Sequence, residues 1–136
     1  MVTPLFPIQR LKGIVSHRSS GSAYKGFAFC VSISPTGEGG ITQQAKDTFA
    51  RLDSLLNQLG SHRSLILQST IYLAHHEQKP EFDQAWREWV GEDPQDWPQR
   101  CGIAVELSPG TFVEIALIAA QRADARDLEK RSVVID

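Results

Sequence analysis

From Ile41 to Leu59 the apolar residues Ile41, Ala45, Phe49, Leu52, Leu56 and Leu59 recur at steps of three and four, and Gly60 follows as a stop. This spacing predicts an amphipathic helix with a single buried stripe. A second stripe, Phe82, Ala85, Trp86, Trp89 and Val90, runs through "KPEFDQAWREWVG", which Pro80 opens near the first turn. Its tryptophans keep helical spacing, so both read as core rather than as a stacking platform for a ligand. The remaining apolar runs are shorter and rich in β-branched and aromatic residues. "FAFCVSIS" (27–34), "LILQSTIYLA" (65–74), "PQRCGIAVEL" (98–107) and "TFVEIALIAA" (111–120) read as strands, and "LKGIVS" (11–16) as a first short one. The Ser/Gly-rich "SHRSSGSAYKG" reads as the connection after that first strand. The order is ββαβαββ, an α+β class with two helices on one face of a mostly antiparallel sheet.

Two features of this pattern extend beyond a single chain. Ile103, Val105, Val113, Ile115 and Leu117 make the last two strands too apolar for a sheet with a wet side, so sheets of several subunits are expected to pack together. At 136 residues, 41% hydrophobic and 22% charged, the chain suits one domain, taken as 1–120 with 121–136 as a C-terminal extension. The final "SVVID" is expected as an edge strand or a mobile end.

Charge and cysteine usage narrow the function classes. The net charge of −2 comes with scattered Lys and Arg, which lacks the footprint of a nucleic-acid binder. No apolar run is long enough to span a bilayer, and "MVTPLFPIQR" has no signal-peptide core, so a cytosolic, membrane-free protein is expected. In that compartment Cys30 and Cys101, both in strand-like runs, read as free core or near-core thiols. The four histidines lack zinc-site spacing, and no metal is expected.

Arg100 and Glu114 stand as opposite charges among the apolar residues of the last two strands. With "SPG" (108–110) as a three-residue connection, Leu107 would face Thr111 and Glu114 would face Ala104. Alternation would then put Arg100, Gly102, Ala104, Glu114 and Ala116 on one face, a pocket wall of small residues around two charges. Four residues of strand rise separate Arg100 from Glu114, on the order of 13 Å, so a ligand, a water or a neighbouring subunit would have to bridge them. On residues alone, a structural role for the pair and a binding site remain open alternatives.

"STIYLA", "FDQAWREWV", "PQRC" and "FVEIALIAA" together resemble the Rid family, also called YjgF, known for reactive-intermediate deaminases, and "ARLDSLLNQLGSHRSLILQSTIYLA" resembles its YoaB-type branch. The resemblance covers roughly residues 10 to 120. It implies a chorismate-mutase-like α+β fold, a homotrimer, and ligand clefts between subunits. It also implies hydrolysis of a 2-imino acid or its enamine to a 2-keto acid and ammonia, with no cofactor. Arg100 matches the family arginine that holds the substrate carboxylate, a task suited to a planar fork of donors. Glu114 matches the glutamate thought to position the attacking water.

Around that pair the chain departs from the family pattern. Val31 stands where a small polar residue is usual, Gly102 where a cysteine is usual, Arg18 where an early tyrosine aligns, and Asp83 approximately where a helix asparagine aligns. The resemblance thus implies Arg100 and Glu114 as catalytic positions and Arg100, Gly102, Val31 and Arg18 as substrate-binding positions. The first reading is a deaminase of the 2-iminobutanoate and 2-iminopropanoate type. The alternative is a non-catalytic trimer that binds keto acids or similar small carboxylate-bearing metabolites. An endoribonuclease or translation inhibitor, an old label in the family, finds no support in the charge pattern or in any catalytic His pair.

Overall fold

The computed structural model describes residues 1–124. Six strands form one sheet: β1 (Ile8–Lys12), β2 (Ser19–Tyr24), β3 (Phe27–Ile33), β4 (Ile66–Leu73), β5 (Gln99–Ala104) and β6 (Val113–Ala120). Helices α1 (Ile41–Gln58) and α2 (Lys79–Val90) precede β4 and β5. The spatial order is β1-β2-β3-β6-β4-β5, antiparallel throughout except for the parallel pair β4 and β5. That exception follows from chain order, because α2 carries the chain back to the start of the sheet as a βαβ crossover requires. The α+β class with both helices on one face stands, as do all four longer strands. The expected "SVVID" strand lies outside the described residues.

The core sits between the helices and one face of the sheet. Every residue of the 41–59 stripe is buried, as are Phe82, Ala85, Trp86 and Trp89. Facing them, alternate strand residues Ala28, Cys30, Ile71, Leu73, Val113, Ile115, Leu117 and Ala119 are buried as well. The Phe49 and Trp89 rings stack at 4.5 Å, and Trp89 donates its Nε1–H to Asp53 at 3.2 Å. The tryptophans are core, as their spacing predicts.

Three expectations need correction. First, residues 19–24 are strand β2 rather than a connection, and the first strand is Ile8–Lys12 instead of 11–16. The Ser/Gly composition of β2 hides a strand because its buried positions are Gly21 and Ala23, small residues under α1, with Leu59 at 2.9 Å from where a Gly21 side chain would begin. Second, β5 and β6 do not form a hairpin. β6 lies between β3 and β4, and its Glu114 is opposite Ile33 and Tyr72 instead of Ala104.

The reason for the second is visible in the connection. The Val105 N–H donates to the Leu73 carbonyl at 2.9 Å and ends β5, after which the chain passes over the end of β4 and returns where Ala74 N–H meets Phe112 O at 3.0 Å. Strand β6 is apolar on both faces, which suits the middle of a sheet better than an edge. Third, Cys30 is buried but Cys101 is exposed, on the face away from the helices.

Candidate functional site

The corrected register decides where the two charges go. Arg100 pairs in register with Ser69, a buried residue of the helix-covered face, so its side chain enters the seam between β5 and α2. Glu114 alternates with the buried Val113 and Ile115 and therefore lies on the open face, flanked by Ile33 and Tyr72. Within one chain the expected pocket wall of Arg100, Gly102, Ala104, Glu114 and Ala116 does not exist. Arg100 and Glu114 lie on opposite faces of the sheet, two strands apart.

Arg100 has a partner that strand reasoning missed. Its Nη2 donates to Asp83 Oδ1 at 2.7 Å, and the guanidinium lies 5.3 Å from the Trp86 ring centre and 5.7 Å from that of Phe82. Helix spacing explains the shelf, since Phe82, Asp83 and Trp86 fall on one side of α2 at steps of one, three and four. Lys79, one turn earlier, donates from Nζ to Asp83 Oδ2 at 2.8 Å. With side chains 21% and 17% exposed, Arg100 and Asp83 form a half-desolvated pair, stronger than a surface contact but still open to a ligand. Partial burial pushes the Asp83 carboxyl upward, but hydrogen bonds and charges from Lys79 and Arg100 outweigh it and hold the group below its ordinary value.

Among the described residues the rest of the Arg100 fork has no hydrogen-bond partner. Ser69, beside it in register, carries a buried hydroxyl that also lacks one. On the far side of Asp83 a cavity of about 410 Å³ opens, lined by His76, Glu77, Lys79, Pro80, Asp83 and Arg87. The corner gathers Lys79, Arg87 and Arg100 around Asp83, with a second carboxylate, Glu77, at the cavity wall and the Phe82 and Trp86 rings against the Arg100 guanidinium. Such a corner can take a small carboxylate through Arg100 and a polar or cationic group through Asp83.

The other expected positions disperse. Gly102 lies two residues along β5 with open space where a side chain would be. Val31 is exposed on the open face of β3, opposite Ala116. Arg18 is exposed in the turn before β2, where its carbonyl accepts from Gly13 N–H at 3.1 Å. By strand order Arg18 is four spacings from β5, on the order of 19 Å. One chain therefore assembles Arg100 with Asp83, Lys79 and the aromatic shelf, and leaves Glu114, Val31 and Arg18 for another surface.

The open face bearing Glu114 and Val31 is apolar over an unusual extent. Phe27, Phe29, Val31 and Ile33 follow one another on β3 with about 40% or more of each side chain in water, except Val31 at 38%, and Ile103 joins them on β5. A cavity of about 350 Å³ on this face is lined by Arg10, Ser20, Ser22, Gln68 and Thr70 around Phe29 and Val31.

A two-layer α+β unit of this topology, with a helix-backed arginine on an edge strand and a bare second sheet face, defines a recognisable class of small proteins. Residues 29–121 match the family model described as Endoribonuclease L-PSP, and the chain belongs to this family, the Rid or YjgF family. A RutC family protein of Haemophilus ducreyi is 32% identical over 109 residues, covering 79% of this chain and 92% of that one. The RutC family protein YoaB of Escherichia coli is 35% identical over 79 residues, 57% of this chain and 68% of its own length. Among solved structures, an uncharacterized protein from Pseudomonas aeruginosa superposes with a TM-score of 0.78 at 27% identity, covering 85% of this chain and all of that one. A putative translation initiation inhibitor from Salmonella typhimurium gives 0.75 at 26% identity, covering 85% of this chain and 98% of that one. Among the described residues no helix is long and apolar enough to cross a membrane.

Proposed function

We propose that the chain is a deaminase of small 2-imino acids, acting as a homotrimer whose clefts join Arg100 of one subunit to Glu114 of a neighbour. The observation that carries this reading is the Arg100 guanidinium, set against Phe82 and Trp86 with one arm on Asp83 and the rest of its fork without a hydrogen-bond partner among the described residues. A carboxylate docked there would make charge-assisted bonds in a half-dry setting and hold the imine carbon in one orientation. Glu114, on a surface the neighbour covers, would take a proton from the attacking water. Water adds to the C=N carbon, the C–N bond breaks, nitrogen leaves as ammonia, and a 2-keto acid remains.

A second reading, a non-catalytic binder of keto acids, is favoured by one observation. Glu114 and Arg100 are not together in one chain.

One experiment separates the two. An amino-acid oxidase generates the 2-imino acid in place, and keto-acid release is followed with and without this protein. Deamination predicts faster release that Arg100→Ala lowers at least tenfold, in line with loss of a charge-assisted contact. Unchanged release by wild type that still binds 2-ketobutyrate leaves only the binding reading.

A further inference from the structure

Helix α2 places a carboxylate where a plain anion-binding site would have none, in direct contact with the arginine that binds the anion. Asp83 touches Arg100 through Oδ1 and Lys79 through Oδ2, and it also lines the cavity beside α2. Each carboxylate oxygen has a second lone-pair direction, so both existing bonds leave acceptor capacity toward a ligand. The groups facing Asp83 are Lys79 and Arg100 in contact, with Arg87, Glu77 and His76 around the same cavity.

We infer that Asp83 is a specificity-determining residue that makes the corner read a zwitterion: a ligand whose carboxylate meets Arg100 and whose cationic nitrogen, on the adjacent carbon, meets Asp83. This rests on the Arg100 site proposed above and names its ligand class. A protonated 2-imino acid has that pattern, with an iminium nitrogen one bond from the carbon bearing the carboxylate. The 2-keto acid product does not. In the hydrolysis water adds to the iminium carbon, both of its protons end on the nitrogen, the C–N bond breaks to release ammonium, and the water oxygen becomes the keto oxygen. Asp83 would thus lie beside positive charge in the substrate and beside a neutral carbonyl in the product. Its negative charge attracts the first ligand and repels the carboxylate of the second from the shared guanidinium. Its carboxyl stays ionised across the neutral range because Lys79 and Arg100 hold it low.

The test uses two stable ligands that differ at one carbon: 2-aminobutyrate, a zwitterion, and 2-ketobutyrate, an anion. Calorimetric titrations of each into wild type, Asp83→Asn, Asp83→Glu and Arg100→Ala, with a melt of every protein, give the ratio of the two affinities. Wild type should bind 2-aminobutyrate more tightly. Asp83→Asn should reverse the order, weakening the amino acid and tightening the keto acid by about tenfold each, the scale of one charge-assisted hydrogen bond. Asp83→Glu, which keeps the charge, should keep the wild-type order.

If wild type prefers the keto acid, or Asp83→Asn changes both affinities by the same factor while Arg100→Ala abolishes both, Asp83 is not the selector and the arginine site stands. If Arg100→Ala leaves either ligand bound as before, or wild type binds neither, the arginine site itself fails and the inference falls with it. Should Asp83→Asn not fold, the wild-type order and the Asp83→Glu titration decide.

Discussion

At the scale of single residues, the chain solves a charge problem with a neighbour that strand alternation alone does not reveal. Arg100 reads from sequence as a charge stranded in an apolar strand, and the opposite charge set among apolar residues of the next strand is Glu114. The pairing found, with Asp83, was legible only by combining the helix spacing of Phe82, Asp83 and Trp86 with a parallel β4–β5 register. Because the Asp83 carboxyl is held below its ordinary value of 3.8, its contribution to stability is present above about that pH and lost as pH falls through the lower folded value. The melting temperature of wild type should therefore exceed that of Asp83→Asn near neutrality, and the gap should close in acid. A gap that persists unchanged at the lowest accessible pH would mean the ion pair is not its source.

The cysteines make a second residue-scale prediction. Burial raises the Cys30 thiol to about 12, while Cys101 is exposed on the opposite face. Three strand spacings part them, on the order of 14 Å, well beyond disulfide reach. A thiol reagent at pH 8 should label Cys101 in the native protein and Cys30 only after denaturation. Labelling of both at equal rates would show that the core opens around β3.

At the scale of elements, helices and long strands were legible because their burial periods are strong, and the pairing was not. Hairpin arithmetic from the three-residue "SPG" presumed that β5 runs on to Leu107. It ends at Ala104, and residues 105–112 form a bridge over β4 instead. What holds that bridge is Gln44, a polar residue at a buried position of α1. Its Nε2 donates to the Gly110 carbonyl at 2.8 Å, and its Oε1 accepts from Phe112 N–H at 2.9 Å. No strand or helix rule marks Gln44 as anything but a blemish in the stripe, yet it fixes where β6 begins.

Gln44→Leu keeps the bulk and strips both bonds, leaving two part-buried backbone groups without this partner, at a net cost of about 0.5–1.5 kcal/mol each. The urea midpoint should fall accordingly with an unchanged slope. A midpoint within error of wild type would show that water replaces the amide without penalty.

At the scale of the whole molecule, the trimer proposed above would account for both the bare sheet face and the separated charges. Phe27, Phe29, Val31 and Ile33 form an exposed apolar row along β3, with Ile103 on the same face of β5 beyond Glu114 and Tyr72, more than a small monomer ordinarily leaves in water. Covering it with copies of the same chain would bury that surface and bring Glu114, Val31 and Arg18 of one chain toward the Arg100 corner of another. Light scattering should give three times the chain mass of 15.1 kDa, and a Phe29→Asp, Val31→Asp double variant should shift toward a single chain.

The stronger test asks whether the charges cooperate across subunits. Arg100→Ala and Glu114→Gln proteins, each expected to be at least tenfold slower than wild type alone, should regain a fraction of imine hydrolysis when unfolded and refolded together, because some clefts in mixed trimers would combine an intact Arg100 with an intact Glu114. Neither parent refolded alone should recover. If the mixture exchanges subunits, as mass analysis of tagged chains would show, and no activity returns, then both residues act from one subunit. The opposite-face geometry of a single chain would then have to change on assembly.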